Sequence, residues 1–293
     1  MKTFLLGVGC QKGGTTWLHD YLARHPQCDM GFQKEYHIFD GLDLPDLKPF
    51  RRNTRRKITR IRKDNGILRG AEATGLPAEV QADYETALIR KSFYADVTTY
   101  ADYFQTLAAP DHIRLVGDIT PSYAGLSAER FAAIKALMES RGFDLRVVFL
   151  LRDPVDRVYS SVRMELRNRA KAQKKMSETP VQTLLKRYDN PNNQLRTRYD
   201  LTMAALEQAF APEQIFYGFY ETLFSQAELA RLTGFLDIDL QPAAFDARVN
   251  ASPTDEDLTP AAATELRRFY DVTYQGCMEK FGPDFIRSIW PYA

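Results

Sequence analysis

The apolar positions of this chain follow two rhythms. Residues 3–8, 113–118, 145–151 and 215–219 are short apolar-rich runs, read as strands, and 145–151 is the clearest buried one. Elsewhere the spacing is helical. Trp17, Leu18, Tyr21 and Leu22 recur on one face, and Tyr84, Leu88, Tyr100, Phe104 and Leu107 do so along 77–107. Further helices are predicted over 127–140, closed by Gly142, from Pro154 onward, and over 196–210, 226–236 and 260–281. Strands alternating with helices predict an α/β fold with a mainly parallel sheet between helical layers. No repeat, low-complexity linker or second-domain break interrupts the pattern, so residues 1–293 read as one domain.

The first strand runs into Gly9-Cys10-Gln11-Lys12-Gly13-Gly14-Thr15-Thr16-Trp17, and a helix follows at once. A glycine-rich turn between strand and helix aims backbone N–H groups and a helix N-terminus at one spot, which suits an anion. Lys12 adds a positive charge there, and Thr15 and Thr16 add hydroxyl donors; a phosphate is the natural guest. The nucleoside triphosphate loop G-x-x-x-x-G-K-[ST] needs its lysine directly before the hydroxyl residue. Here Thr15 occupies that place and Lys12 comes three residues early, which argues against a Mg-nucleoside triphosphatase. The ordinary alternative is a plain strand–helix turn.

Two further stretches carry chemistry. The 145–151 run leads into Arg152-Asp153-Pro154-Val155-Asp156, where Pro154 fits the first turn of a helix and Asp153 its cap. Arg152 then stands at a strand end beside a helix N-terminus, with Ser160 two turns along. Alternatively Arg152 pairs with Asp153 or Asp156 and Ser160 is mere helix surface. Arg163, Arg167, Arg169, Lys171, Lys174 and Lys175 continue a basic helix. The second stretch is Lys34-Glu35-Tyr36-His37-Ile38-Phe39-Asp40. If extended, it puts Glu35 and His37 on one face, and either could take a proton; a solvated loop with a local salt bridge is the other reading. The polar turn over 117–123 follows a strand, where open α/β sheets place ligand contacts.

Overall charge names no partner, because the net is +1. Its distribution is uneven: eight of the thirteen residues 51–63 are basic and none is acidic. Removing those eight charges from the net +1 leaves −7 on the rest of the chain. Such a block reads as a solvated, mobile insert, as a patch for an acidic acceptor, or as a nucleic-acid contact. The last is weakened because no aromatic interleaves the run. Cys10, Cys28 and Cys277 have neither metal-ligand nor disulfide-framework spacing and fit a reducing compartment. The N-terminal apolar run is too short for a signal peptide, and no stretch of about 20 apolar residues suggests a membrane span. A cytoplasmic protein is expected.

These motifs together resemble the sulfotransferases that use 3′-phosphoadenosine 5′-phosphosulfate (PAPS). The resemblance implies a P-loop-type three-layer sandwich. Lys12, Gly13, Gly14, Thr15 and Thr16 match the 5′-phosphosulfate loop, and Arg152 with Ser160 matches the 3′-phosphate motif. Lys34 to Asp40 is closest to the heparan sulfate and related carbohydrate O-sulfotransferases, where the matching Glu is catalytic base. That assigns the base to Glu35, with His37 orienting it or serving as alternate base. Trp17 looks more like the cytosolic small-molecule enzymes, where the Trp after the loop stacks on adenine. Tyr220-Glu221-Thr222-Leu223 resembles a segment after a late strand in this family and is read as structural. Two departures stand out. Several carbohydrate enzymes carry a lysine where this chain has Ile119, and the late lysine–glycine segment for the 3′-phosphate is not evident; Arg248 is the candidate substitute. The implied activity is sulfuryl transfer from PAPS to a hydroxyl or amine by in-line attack, with no metal. The acceptor is left open among small molecules, lipid headgroups and glycans, an anionic one included, with no nucleic acid. A small-molecule kinase of related fold, or a non-enzymatic polyanion- or nucleic-acid-binding protein, are the rival readings.

Overall fold

The computed structural model describes residues 1–67, 75–173, 178–245 and 257–293. Five parallel strands form one sheet: β1 (Lys2–Gly9), β2 (Cys28–Asp29), β3 (Leu115–Ile119), β4 (Phe143–Leu151) and β5 (Ile215–Phe219), in the spatial order β2-β3-β1-β4-β5. Parallel sheets are covered on both faces, and β1 shows why its sequence suits the centre. Phe4, Leu6 and Val8 enter one core cluster while Leu5 enters the other, following the two-residue alternation of a strand. Edge strand β2 has only two residues, too few to leave a pattern in the sequence.

Chain order reverses across β1, since β3 lies on one side and β4 on the other. The crevice at the carboxyl ends of these strands is where such sheets bind ligands. Three polar segments emerge there: residues 10–14 after β1, Thr120 to Ser122 after β3, and Arg152-Asp153 after β4.

The helices that frame the crevice are α1 (Thr15–Ala23), the short α2 (Phe39–Asp43), α3 (Lys48–Asp64), α4 (Ala78–Ala95), α5 (Val97–Leu107), α6 (Ala128–Glu139) and α7 (Pro154–Lys171). The single helix expected over 77–107 is two. Asp96 takes an extended conformation, and its carboxylate accepts from Thr98 N, ending α4 and capping α5. The stretch 196–210 likewise divides, into Pro191–Thr197 and Tyr199–Ala209, and 260–281 divides into Pro260–Phe269 and Asp271–Phe281. The basic block lies within α3, where Thr54, Ile58 and Ile61 are buried and the two isoleucines cluster with Tyr84 and Ala87 of α4. Lys174, Lys175 and Arg248 lie outside the described residues.

Candidate active site

The loop after β1 is shaped by close backbone approaches. A Cβ on Gly13 would stand 2.7 Å from Cys10 Sγ, and Gly14, with φ 94°, caps α1 where a Cβ would meet Leu223 Cδ2 at 2.6 Å. Lys12 itself has φ 73°, unusual for a lysine. Two arginines hold the loop in this form. Arg152 Nη1 donates to Lys12 O at 3.1 Å. Arg157, fully buried, donates from Nε to Gln11 O at 3.2 Å and from Nη2 to Gln11 Oε1 at 3.0 Å, and its Nη1 reaches Thr197 Oγ1 at 2.8 Å. Its fixed multi-donor plane suits several oxygens at once. Arg157 is not among the residues expected at the site, although it lies one turn beyond Arg152 on the same strand–helix junction.

Positive charge converges on Lys12. Burial first, and then the charges of Arg167, Arg152, Arg163 and Lys34, lower its ammonium to about 8. Arg152 forms no ion pair with Asp153 or Asp156 among the described residues. Asp153 instead caps α7, accepting from Val155 N at 2.9 Å, and takes Tyr274 OH at 2.6 Å. The Arg152 guanidinium lies 4.3 Å from the Tyr220 ring centroid. Glu221 beside it serves the scaffold, accepting from Asp153 N at 3.0 Å and Trp290 Nε1 at 3.1 Å. The Nε atoms of Arg152 and Arg163 are both buried without a hydrogen-bond partner among the described residues. Ser160, 6% exposed, shares a helical face with Arg163 and Arg167. Asp156 faces Arg152 and Arg163 within this crowd of cations, whose partnerless buried donors suit an anion.

Lys34 joins this loop to the second motif. Its ammonium donates to Thr16 Oγ1 at 2.6 Å and to Glu35 Oε1 at 3.1 Å. The structure does bring Glu35 and His37 together, but not by extension: His37 has φ 55°, and this left-handed turn sets Glu35 Oε2 3.2 Å from His37 Nε2. His37 Nδ1 lies 2.7 Å from Asp40 Oδ2, and fully buried Asp40 also accepts from Ser122 Oγ. Burial pushes His37 down, but hydrogen bonds to Asp40 and Glu35 outweigh it and raise the imidazole above its ordinary value. Burial pushes Glu35 up, yet the hydrogen bond from His37 and the charges of Lys34 and His37 prevail and hold its carboxyl low. The result is a carboxylate flanked by the Lys34 ammonium and by an imidazole whose protonated form is favoured.

The segment is pinned from beneath by the turn after β3. Tyr36 N donates to Thr120 Oγ1 at 3.0 Å, Thr120 Oγ1 donates to Asp118 Oδ1 at 2.6 Å, and Ile38 N donates to Tyr123 OH at 3.2 Å. Tyr100 and Tyr123 both donate to Asp118 Oδ2, at 3.0 and 2.8 Å. Burial raises Asp118 to about 6 despite these donors. The Asp118-Ile119-Thr120 turn therefore positions the Glu35 segment rather than offering a cation of its own.

Trp17 is 7% exposed. It stacks on Tyr21 at 5.8 Å and on Phe245 at 6.0 Å, with Phe224 edge-on. No group of three or more His, Cys, Asp or Glu among the described residues is arranged to hold a metal ion, and no described helix is long and apolar enough to cross a membrane.

The crystal structure of a sulfotransferase from Alicyclobacillus acidocaldarius superimposes with a TM-score of 0.55 at 17% identity, covering 95% of each chain. The sulfotransferase domain of the Synechococcus PCC 7002 olefin synthase matches with a TM-score of 0.46 at 17% identity, over 91% of this chain and 86% of that one. Sulfotransferase STF9 from Mycobacterium avium matches with a TM-score of 0.42 at 15% identity, over 92% and 76%. No curated protein matches the sequence. The first of these shares the fold: a parallel sheet with a strand–loop–helix at its centre. The model of the sulfotransferase family matches residues 5–242, so the chain belongs to that family.

Proposed function

We propose that this sulfotransferase takes its sulfuryl group from PAPS, and that the cation cluster around Lys12 is the donor site. One observation carries the reading: buried Nε atoms of Arg152 and Arg163 have no hydrogen-bond partner among the described residues, beside a lysine whose charge is disfavoured by burial and by its neighbours. Such groups are costly unless a ligand anion completes them. In this reading the amides of Gly13 and Gly14 and the hydroxyls of Thr15 and Thr16 hold the 5′-phosphate. Arg152 and Ser160 hold the 3′-phosphate, which separates this ligand from an ordinary nucleotide. Trp17 walls the adenine side, where Phe245 is the ring a purine would replace. Arg248 is proposed to substitute at the 3′-phosphate for the late lysine–glycine segment that this sequence lacks.

PAPS supplies an activated sulfuryl group joined to a phosphate leaving oxygen. The chain supplies position and charge, which dominate in transfers of this kind. Glu35 takes the proton of the acceptor hydroxyl or amine. Its carboxylate is ionised at neutral pH, as an ordinary glutamate's is, and the cations beside it hold its carboxyl low. His37 is the weaker candidate for the base, because both ring nitrogens face carboxylates, so both carry protons and orient Glu35. Lys12 and Lys34 stabilise negative charge as it develops at the leaving oxygen. Lys34 thereby fills the function of the lysine missing at Ile119.

Transfer of radiolabelled sulfuryl from PAPS into a mixed set of hydroxyl and amine acceptors, without added metal, tests the reading. Labelled product should form with one equivalent of adenosine 3′,5′-bisphosphate. Phosphoryl transfer from ATP–Mg with no sulfuryl transfer would replace it with the kinase reading.

A further inference from the structure

One buried cation near the base has no part in the chemistry described so far. Arg196 is 8% exposed and belongs to the short helix Pro191–Thr197. Among the described residues its guanidinium makes a single hydrogen bond, from Nη1 to Asn192 O of the same helix at 3.1 Å, and no ion pair. A buried guanidinium with most of its donors unused is costly unless a ligand completes it.

The residues on either side of Arg196 fix where it stands. Leu195 packs on the turn Pro121–Gly125 after β3: a Cβ on Gly125 would lie 2.6 Å from Leu195 Cγ. Ser122 of the same turn donates to Asp40, behind the Glu35–His37 pair. On the other side, Thr197 Oγ1 and Asn193 Oδ1 accept from Arg157 Nη1 at 2.8 and 3.2 Å, and Arg157 grips Gln11 of the loop after β1. The helix is thus tied both to the glycine-rich loop and to the support of the proposed base. The charges acting on Arg196 agree with that placement. Burial first, and then the charge of Arg157, lower its guanidinium to about 10, while Asp40 and Glu35 act in the opposite direction. Its head is therefore within electrostatic reach of the loop's anchor and of both carboxylates, yet bonded to neither acid.

We propose that Arg196 is a further catalytic residue, whose guanidinium holds the sulfuryl oxygens as the group passes from PAPS to the acceptor. This rests on the reading of the Lys12 cluster as the PAPS site and of Glu35 as the base. An in-line transfer puts the moving group between the leaving oxygen, at the loop, and the attacking oxygen, at Glu35. That interval is what Arg196 faces. In the step, the acceptor oxygen bonds to sulfur while the bond from sulfur to the phosphate oxygen breaks. The electron pair of the broken bond stays on the bisphosphate, and the acceptor proton goes to Glu35. Lys12 and Lys34 serve the leaving oxygen; Arg196 serves the oxygens that travel with sulfur and keeps sulfur in line. A planar fork of N–H donors suits the flattened sulfuryl group of such a transfer, and a buried, pre-fixed donor needs no reorganisation as it acts.

The test compares PAPS with adenosine 3′,5′-bisphosphate, which differ only in the sulfuryl group. Calorimetry measures both affinities on the unaltered full-length protein, on Arg196→Gln and on Arg196→Lys. Bisphosphate affinity should stay within about threefold in both variants, because no bisphosphate contact is removed. PAPS affinity should fall by about tenfold or more in the glutamine variant, with the lysine variant between it and the unaltered protein. The rate of labelled-sulfuryl transfer into the same acceptor mixture should fall by about 10²–10³ in the glutamine variant. A merely structural Arg196 would weaken both ligands together, and one that only pairs with Glu35 would weaken neither; either result overturns the proposal. If the glutamine variant does not fold, the lysine variant carries the same comparison, and its PAPS affinity alone should fall. Failure of the unaltered protein to bind the bisphosphate would overturn the donor site, and this proposal with it.

Discussion

Lys34 Nζ lies 2.6 Å from Thr16 Oγ1, and that contact ties the glycine-rich loop and its helix to the segment holding the proposed base. The two motifs are eighteen residues apart in sequence and come from different elements. Because Lys34 also contacts Glu35, one cation touches both the proposed donor loop and the proposed base.

Lys34→Ala should therefore affect turnover more than donor binding. Loss of one preorganised charge donor at a developing anion typically lowers kcat by about 10²–10³. Bisphosphate affinity should change by no more than roughly threefold, since Lys12, Arg152 and the loop amides remain. Steady-state kinetics with calorimetry separates the two. A variant with normal kcat would restrict Lys34 to a scaffold role.

Glu35→Gln should keep donor affinity yet lower kcat by roughly 10²–10⁴, the usual range for a general base. His37→Ala should cost less, because it removes an orienting cation rather than the proton acceptor. Near-normal turnover in the glutamine variant, together with a dead His37→Ala enzyme, would exchange the two roles.

The lowered Lys12 ammonium predicts a pH dependence with a definite sign. In the free protein it is charged below about 8 and neutral above. A bound polyphosphate anion favours the charged form and raises its pKa. Affinity for adenosine 3′,5′-bisphosphate should thus be full below pH 8 and fall above it, by at most roughly tenfold per pH unit. Binding above pH 8 should take up a proton, detectable by calorimetry in buffers of different ionisation enthalpy. Lys12→Arg should move the fall to higher pH; an unchanged profile in that variant would remove Lys12 from the site.

What is legible in the sequence is what is encoded locally. The Lys12–Trp17 loop and the Arg152–Ser160 junction are contiguous strand–turn–helix units, so spacing alone gives their geometry. Asp153 caps α7 as its position before Pro154 suggests. The pairing of Glu35 with His37 is expected from an extended segment, whereas the chain reaches it through a left-handed residue that the Tyr36, Ile38 and Tyr94 hydrogen bonds help hold in place. Lys34 on Thr16 and Arg157 on Gln11 are contacts between elements, and no period or motif announces them. In α3 the helical signal of Thr54, Ile58 and Ile61 is diluted by eight surrounding charges.

The most direct measurement of the central claim is a metal-free calorimetric comparison of adenosine 3′,5′-bisphosphate and 5′-AMP, with ATP–Mg alongside, on the unaltered protein and on Arg152→Ala. The account predicts tight binding of the bisphosphate, much weaker binding of 5′-AMP and of ATP–Mg, and a loss of roughly 2–4 kcal/mol for the bisphosphate alone in the variant. Equal affinity for bisphosphate and 5′-AMP, or preference for ATP–Mg, would contradict it.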